Sequence, residues 1–344
     1  MTTSAILLHP AANRVYTDAA ARLMTAELGV LDRTVLGGRI SGLTQTTIGG
    51  IPYLTFESDP LSETEVGLIA NLSSIYGLFR IEGELLAPVE LHRLDRYDDD
   101  LITIQKYQGK TNEQFTKLLL NVTLWSSARG GEMLDRRFHV FDPLCGRGTT
   151  LNQALMYGYD ATGVDLDKRD FEAYSGFVRT YLKRKRLKHQ ADVTQVRRNK
   201  RVLGKRLEAT LAPTKEDFKA GRAQHLEYAN VDTADARAVY APGSFDLVVA
   251  DAPYGVQHGS RTDKEGLKRG PQELIRAAAP VWTGLLRSGG AVGISWNNLV
   301  AGREELAGAL ADAGLEVCDS GPYLDFEHRV DQAIMRDVIV ARKP

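Results

Sequence analysis

Cysteine is scarce in this chain of 344 residues: only Cys145 and Cys318 occur, far apart and without paired spacing. That excludes a disulfide framework and gives no zinc signature. Long apolar runs are also missing, since nothing approaches the ~20 residues that span a bilayer. Residues 1–10 lack the charged start and cleavage site of a secretory leader. These absences place the chain in the cytoplasm, with no membrane partner. Net charge is small too, at -1. The balance hides an asymmetry, because residues 183–206 hold eleven Lys and Arg against the single acid Asp192, giving +10 there and -11 elsewhere. With 43% hydrophobic and 25% charged residues the chain reads as globular, and its length favours two domains.

The stretch that organises the rest is Asp142-Pro143-Leu144-Cys145-Gly146-Arg147-Gly148-Thr149-Thr150. An apolar run, 139–141, ends in an acid, passes a Gly-x-Gly turn and opens into a helix carrying Leu151, Ala154 and Leu155. Strand, glycine turn and helix in that order belong to the carboxyl end of a central strand in a doubly wound sheet. A dinucleotide fingerprint is incomplete, because Leu151 occupies the third glycine position. Asp142 would also repel a pyrophosphate, while it suits a cation such as the amino group of S-adenosylmethionine (SAM).

Upstream, the first ninety residues read β-α-β-β-α-β, the ferredoxin-like order. Strands at 5–8, 35–44, 51–56 and 78–91 alternate with helices beginning near Tyr16 and after Ser62, which forms a capping box with Glu65. The division that follows is an N-terminal α+β domain over 1–94, an exposed linker over 95–104, and a catalytic domain over 105–344. Thr111 and Gln114 form a second capping box, so a helix starts at Asn112. Its free N–H groups would make a carboxylate site, or it is an ordinary capped helix.

Downstream of the glycine turn, a strand at 161–164 delivers Asp165, placed 19 residues after Gly146 where doubly wound folds hold ribose hydroxyls. Residues 183–224 read as a basic helical insertion. Its density of one sign suggests contact with phosphates through Lys183, Arg184, Lys185, Arg186, Arg197, Arg198, Lys200 and Arg201. A third strand ends near Asp232 and Asp235-Ala236, and Asp235 is the candidate for an adenine amino group. A buried strand at 247–250 then presents Asp251-Ala252-Pro253-Tyr254 at the same edge as the glycine turn. A nucleobase amine is a weak nucleophile, so a carboxylate and a carbonyl that accept its two hydrogens favour attack. Asp251 and the Ala252 carbonyl suit that task, Pro253 stiffens the turn, and Tyr254 offers a stacking face. Residues 255–270, with His258, Arg261, Lys264, Lys268 and Arg269, read as a loop that touches phosphates, Arg261 foremost.

This order of motifs resembles the class I SAM-dependent methyltransferases acting on exocyclic amines, and most of all the tRNA guanine-N2 methyltransferase family. The likeness covers residues 105–344. Asp-Pro-Leu-Cys-Gly-Arg-Gly-Thr-Thr is similar to that family's first signature, and Asp-Ala-Pro-Tyr to its Asp/Asn-Pro-Pro-Tyr. The resemblance implies a Rossmann-like methyltransferase sheet, SAM bound by Asp142, Pro143, Cys145, Gly146, Gly148, Asp165 and Asp235, and an amine handled by 251–254. It also implies that Cys145 lines the pocket and that RNA, in particular tRNA, is the partner; it leaves room for an activating protein subunit. The sheet aligns the two reactants, so no metal is implied. Two departures stand out: Ala252 replaces a proline, and no THUMP RNA-binding pattern occurs near the N-terminus. The motifs are shared by DNA adenine-N6 and cytosine-N4 methyltransferases. Enzymes methylating a protein glutamine or a small amine, and a non-catalytic nucleic-acid-binding module, are further readings.

Overall fold

The computed structural model describes residues 1–9, 14–198, 201–254 and 271–344, with the side chains of 14–18, 198, 201 and 271 left aside. The N-terminal unit runs β1 (Thr2–Leu8), α1 (Arg14–Leu31), β2 (Ser41–Ile48), β3 (Ile51–Ser58), α2 (Glu63–Ile69), β4 (Ile75–Glu82) and β5 (Leu85–Val89). Its strands are ordered β2-β3-β1-β4-β5 and are antiparallel throughout. The first four reproduce the expected ferredoxin-like arrangement, and β5 extends the edge. Local chemistry explains the joints. Gly49 and Gly50, at φ 58° and 81°, close the two-residue hairpin between Ile48 and Ile51, and Ser62 and Glu65 form a full capping box ahead of α2.

Residues 95–104, expected as an exposed linker, are pinned instead. They carry α3 (Asp100–Thr103); Tyr97 is buried and its hydroxyl donates to Gln224 Oε1 at 2.7 Å, while the Leu101 carbonyl accepts from Asn152 Nδ2 at 3.1 Å. A charge-dense surface concealed two apolar anchors, and we propose this segment as the seam between the units.

Then come α4 (Glu113–Ser126), β6 (His139–Asp142), α5 (Thr149–Met156), β7 (Asp160–Val164), α6 (Lys168–Arg184), β8 (Lys188–Arg198), β9 (Arg201–Ala212), α7 (Lys215–Lys219), β10 (Gln224–Ala229), β11 (Phe245–Asp251), α8 (Pro271–Leu285), β12 (Leu286–Asn297), α9 (Arg303–Asp312), β13 (Glu316–Cys318), β14 (His328–Arg329) and β15 (Met335–Arg342). They build a ten-stranded sheet, ordered β13-β15-β12-β11-β6-β7-β10-β9-β8 with β14 against β15. Strands β10, β7, β6, β11 and β12 are mutually parallel, and β15 runs against β12. Strand order runs outward in both directions from β6, to β7 and β10 on one side and to β11 and β12 on the other, so the loops after β6 and β11 flank a topological switch point at one rim, where ligands bind in open α/β sheets. This is the class I methyltransferase architecture.

The helical insertion expected over 183–224 is not there. Beyond α6 the chain makes a long antiparallel hairpin, β8 with β9, which joins the sheet through β9 and β10, and only the short α7 is helical. Leu207, Ala209 and Leu211 are buried while Glu208 is exposed, a period-two pattern that seats β9 on the core. The density of basic residues drew attention away from that alternation. One core cluster contains Ile6, Leu23, Leu54, Leu118, Leu155 and Val340, so the two sheets share a buried core, with α1 against α4. Among the described residues no helix is long and apolar enough to cross a membrane.

Candidate active site

Strand β6 carries Asp142 into the rim with 3% exposure. Its carboxylate accepts the Leu144 N–H at 3.0 Å, yet burial, reinforced by the charges of Asp165 and Asp251, pushes its pKa up to about 7. The following turn is tightly held. Cys145 N–H donates to the Val164 carbonyl at 3.1 Å, Gly146 N–H donates to Asp165 Oδ2 at 2.9 Å, and the Tyr228 hydroxyl donates to the Gly146 carbonyl at 2.9 Å. Gly146, at φ 47°, has nothing within 4 Å of where a Cβ would stand, so its backbone faces open space. At Gly148, with φ 75°, a Cβ would lie 2.2 Å from the Tyr174 ring, so only glycine fits as the cap of α5.

Asp165 is half-buried, and desolvation raises its pKa to about 6. One oxygen holds Gly146 and the other accepts Asp167 N–H at 2.8 Å. Thus the second acid fixes the first motif's turn, a coupling that sequence spacing alone does not express.

At the end of β11, Asp251 collects three hydroxyl donors. Tyr254 and Ser295 donate to Oδ1, and Thr111 donates to Oδ2. Ala252 N–H is tied to the Ser295 carbonyl at 2.8 Å, and the Tyr254 carbonyl accepts from Asn297 Nδ2 at 3.2 Å. Thr111 is therefore no cap. The cap of α4 is Asn112, whose side chain accepts Phe115 N–H at 3.1 Å, and the Gln114 amide reaches His9 instead. An Asn in the next position outcompetes a Thr whose hydroxyl is drawn to a carboxylate.

A cavity of about 260 Å³ joins these parts. Asp142, Cys145, Gly146, Thr149, Thr111 and Asp251 all contribute to its wall. Asn112, Pro143, Gly148, Asp165, Asp235 and Ala236 stand outside that lining. Asp235 is exposed on a 3-10 turn (Thr233–Ala238) whose cap is Asp232, and Ala236 is buried in the core. Cys145 is buried, and burial drives its thiol pKa well up, which suits a wall residue rather than a nucleophile. The sequence pattern did not single out Tyr107, Arg147, Asp170 or Ser295. The Tyr107 hydroxyl lies 3.0 Å from the Thr149 hydroxyl, Arg147 stacks 4.7 Å from the Tyr107 ring centroid, and Arg147 Nε donates to Asp170 at 2.9 Å. Arg147 lies inside the glycine turn and Tyr107 just ahead of α4, so their positions were visible and their pairing was not. His258, Arg261, Lys264, Lys268, Arg269 and Lys200 lie outside the described residues, as do the side chains of Arg198 and Arg201.

SAM fits this cavity by the chemistry of its walls. The buried carboxylate of Asp142 with its raised pKa, the Asp251 carboxylate, an open glycine backbone and polar hydroxyls suit a ligand bearing an ammonium, a sulfonium and ribose hydroxyls. Sheet order and site together define a class I SAM-dependent methyltransferase, with SAM as its cofactor.

Residues 128–284 match the family model described as RMKL-like, methyltransferase domain. No curated protein matches the chain. Similar solved structures include TrmN from Thermus thermophilus, at 13% identity over 100% of each chain and TM-score 0.45. A TehB-like SAM-dependent methyltransferase from Corynebacterium glutamicum is 16% identical over 62% of this chain and 83% of its own, with TM-score 0.33. The 1,6-didemethyltoxoflavin-N1-methyltransferase from Burkholderia thailandensis is 17% identical over 61% of this chain and 72% of its own, with TM-score 0.36.

Proposed function

We propose that the enzyme methylates an exocyclic amine of a nucleobase in RNA, namely N2 of guanine in tRNA. The observation that carries this reading is that Asp142 and Gly146 from one loop and Asp251 from the other wall the same cavity. A carboxylate offers roughly four acceptor positions, and Asp251 has three filled by hydroxyls. The remaining position takes one hydrogen of the substrate amine, and the Ala252 carbonyl takes the other. Bound SAM supplies an electrophilic sulfonium methyl. The amine nitrogen would accept that methyl, with S-adenosylhomocysteine leaving with the C–S electron pair, and would then lose a proton to solvent. Asp251 stabilises the positive charge that develops on nitrogen, and its hydroxyl partners fix the direction of its free lone pair. A base reaches this depth only when turned out of its stack.

The guanine-N2 and tRNA assignments draw on the signature resemblance, and contact with the phosphate backbone draws on the basic residues of the α6 end and the β8–β9 hairpin. Transfer of a labelled methyl to unmodified tRNA, compared with duplex DNA and followed by nucleoside mass spectrometry, tests them. Incorporation as N2-methylguanosine in tRNA is expected; label in DNA alone defeats the RNA reading.

A further inference from the structure

Arg336, on β15, is 4% exposed and is the one arginine in the buried class among the described residues. Its surroundings differ from those of Arg303, which donates to Asp319, Asp337, and the carbonyls of Val338 and Tyr323. Among the described residues no carboxylate pairs with Arg336, no acceptor takes a hydrogen bond from its guanidinium, and its Nε is buried without a partner. The guanidinium instead lies between two rings, 4.2 Å from the Phe115 centroid and 5.0 Å from that of Tyr254. Stacking holds the plane and compensates part of the lost hydration. It leaves Nε without an acceptor, and a desolvated donor without an acceptor is costly.

Tyr254 ties this cation to the amine site. Its ring stands beside the guanidinium while its hydroxyl donates to Asp251. A donor fork thus waits one tyrosine ring away from the carboxylate that takes the amine. We propose that Arg336 receives the carbonyl oxygen of an amino-lactam base, a heterocycle whose amine and carbonyl flank a single ring nitrogen. Guanine and cytosine have that arrangement. Adenine places a C–H where the carbonyl would be, so it would leave the guanidinium unpaired in a closed site, a penalty of the kind that lets buried donors reject isosteres. The assignment rests on the amine-transfer reading and names the substrate class it selects.

The test uses the full chain saturated with S-adenosylhomocysteine, titrated with guanosine, cytidine and adenosine and followed by ligand-observed NMR. Guanosine and cytidine are expected to bind about tenfold more tightly than adenosine, the discrimination typical of one good donor–acceptor match. Arg336→Met should make the three equal, and Arg336→Lys should restore part of the preference. Melting temperature and S-adenosylhomocysteine affinity report whether each variant folds. Equal binding of the three by the wild-type protein, or no binding of any, overturns the proposal whatever the variants do. If Arg336→Met weakens GMP, CMP and AMP equally, the guanidinium serves a phosphate and the proposal fails as well. Methylation of tRNA is scored separately. A nucleoside preference without transfer to tRNA defeats only the RNA reading, and transfer to tRNA guanine without an Arg336-dependent preference defeats only this one.

Discussion

Ser295 on β12 is the parallel register partner of Asp251 on β11, and it holds that residue twice: its hydroxyl donates to the carboxylate and its carbonyl accepts the Ala252 N–H. A serine in the middle of a strand with 0% exposure is otherwise out of place among Ile294, Val292 and Trp296. On the proposed amine-transfer reading it orients the carboxylate for the amine. Ser295→Ala should therefore lower kcat about tenfold, since a hydrogen bond to a charged group contributes about 1.5–3 kcal/mol. The Kd for SAM should stay unchanged. Steady-state kinetics with calorimetry checks this, and a variant that weakens SAM binding with kcat intact would move Ser295 from the amine site to the cofactor site.

If Asp142 holds the cationic end of SAM, binding depends on pH. Burial raises its pKa to about 7, so in the free protein the carboxyl is neutral below that pH and anionic above it. A cationic ligand prefers the anion, and affinity should therefore rise with pH. From about pH 6 to about pH 8 the gain should be about tenfold, the change for a single proton released near the middle of that range. Asp165, at about 6, adds to the rise only at the acid end. Asp142→Asn should bind SAM more weakly at the alkaline end and flatten the profile. Calorimetry across that range decides it.

What the sequence disclosed follows from where the chemistry is local. The strand–glycine–helix turn at 142–150, the Asp251 loop, the Ser62 capping box and the ferredoxin-like order all depend on residues within a few positions of each other. The position of Asp165 at the end of β7 was legible because its spacing from Gly146 is fixed by the βαβ unit, although its bond to the Gly146 N–H was not. Three features resisted. Thr111 and Ser295 act on Asp251 from sequence separations of 140 and 44, a relation only the sheet creates. The β8–β9 hairpin alternates correctly in Leu207, Ala209 and Leu211, but charge density suggested a solvated helix. Arg336 had no motif to announce it, since its meaning comes from lacking an acceptor after folding.

Glu27 gives the fold a pH-dependent joint between its two units. It sits on α1 with 0% exposure, accepts the Ser73 N–H at 3.0 and 3.1 Å, and accepts Asn121 Nδ2 from α4 at 2.7 Å. Burial raises its pKa from 4.5 to about 7 despite those bonds. Its folded pKa thus exceeds its unfolded one, so stability from this group is full below about pH 4.5 and is lost as pH rises to about 7. The loss is about 3 kcal/mol by linkage at ~1.36 kcal/mol per pKa unit. Glu27→Gln stays neutral throughout. Denaturant unfolding at about pH 5 and about pH 8, on either side of that transition, should show the wild type losing stability relative to Glu27→Gln; parallel curves would show that Glu27 does not titrate here.

The lysines and arginines of the basic surface are not equivalent. Lys185 is committed to Asp98 and Asp100, at 2.8 and 2.6 Å, Lys205 to Glu172, and Arg206 to Glu227. Lys183, Arg184 and Arg186 are exposed at the end of α6, where no described carboxylate forms an ion pair with them. If this face tracks an RNA backbone, those three meet the phosphates and the committed ones do not. Replacing Lys183, Arg184 and Arg186 together with alanine should weaken tRNA binding and reduce the slope of log affinity against log salt by about one for each phosphate no longer neutralised. Lys185→Ala should leave that slope unchanged and lower the melting temperature slightly, since it breaks exposed ion pairs. Binding isotherms from low to physiological salt separate the cases. Identical slopes for the wild type and the triple variant would show that the end of α6 faces solvent rather than RNA.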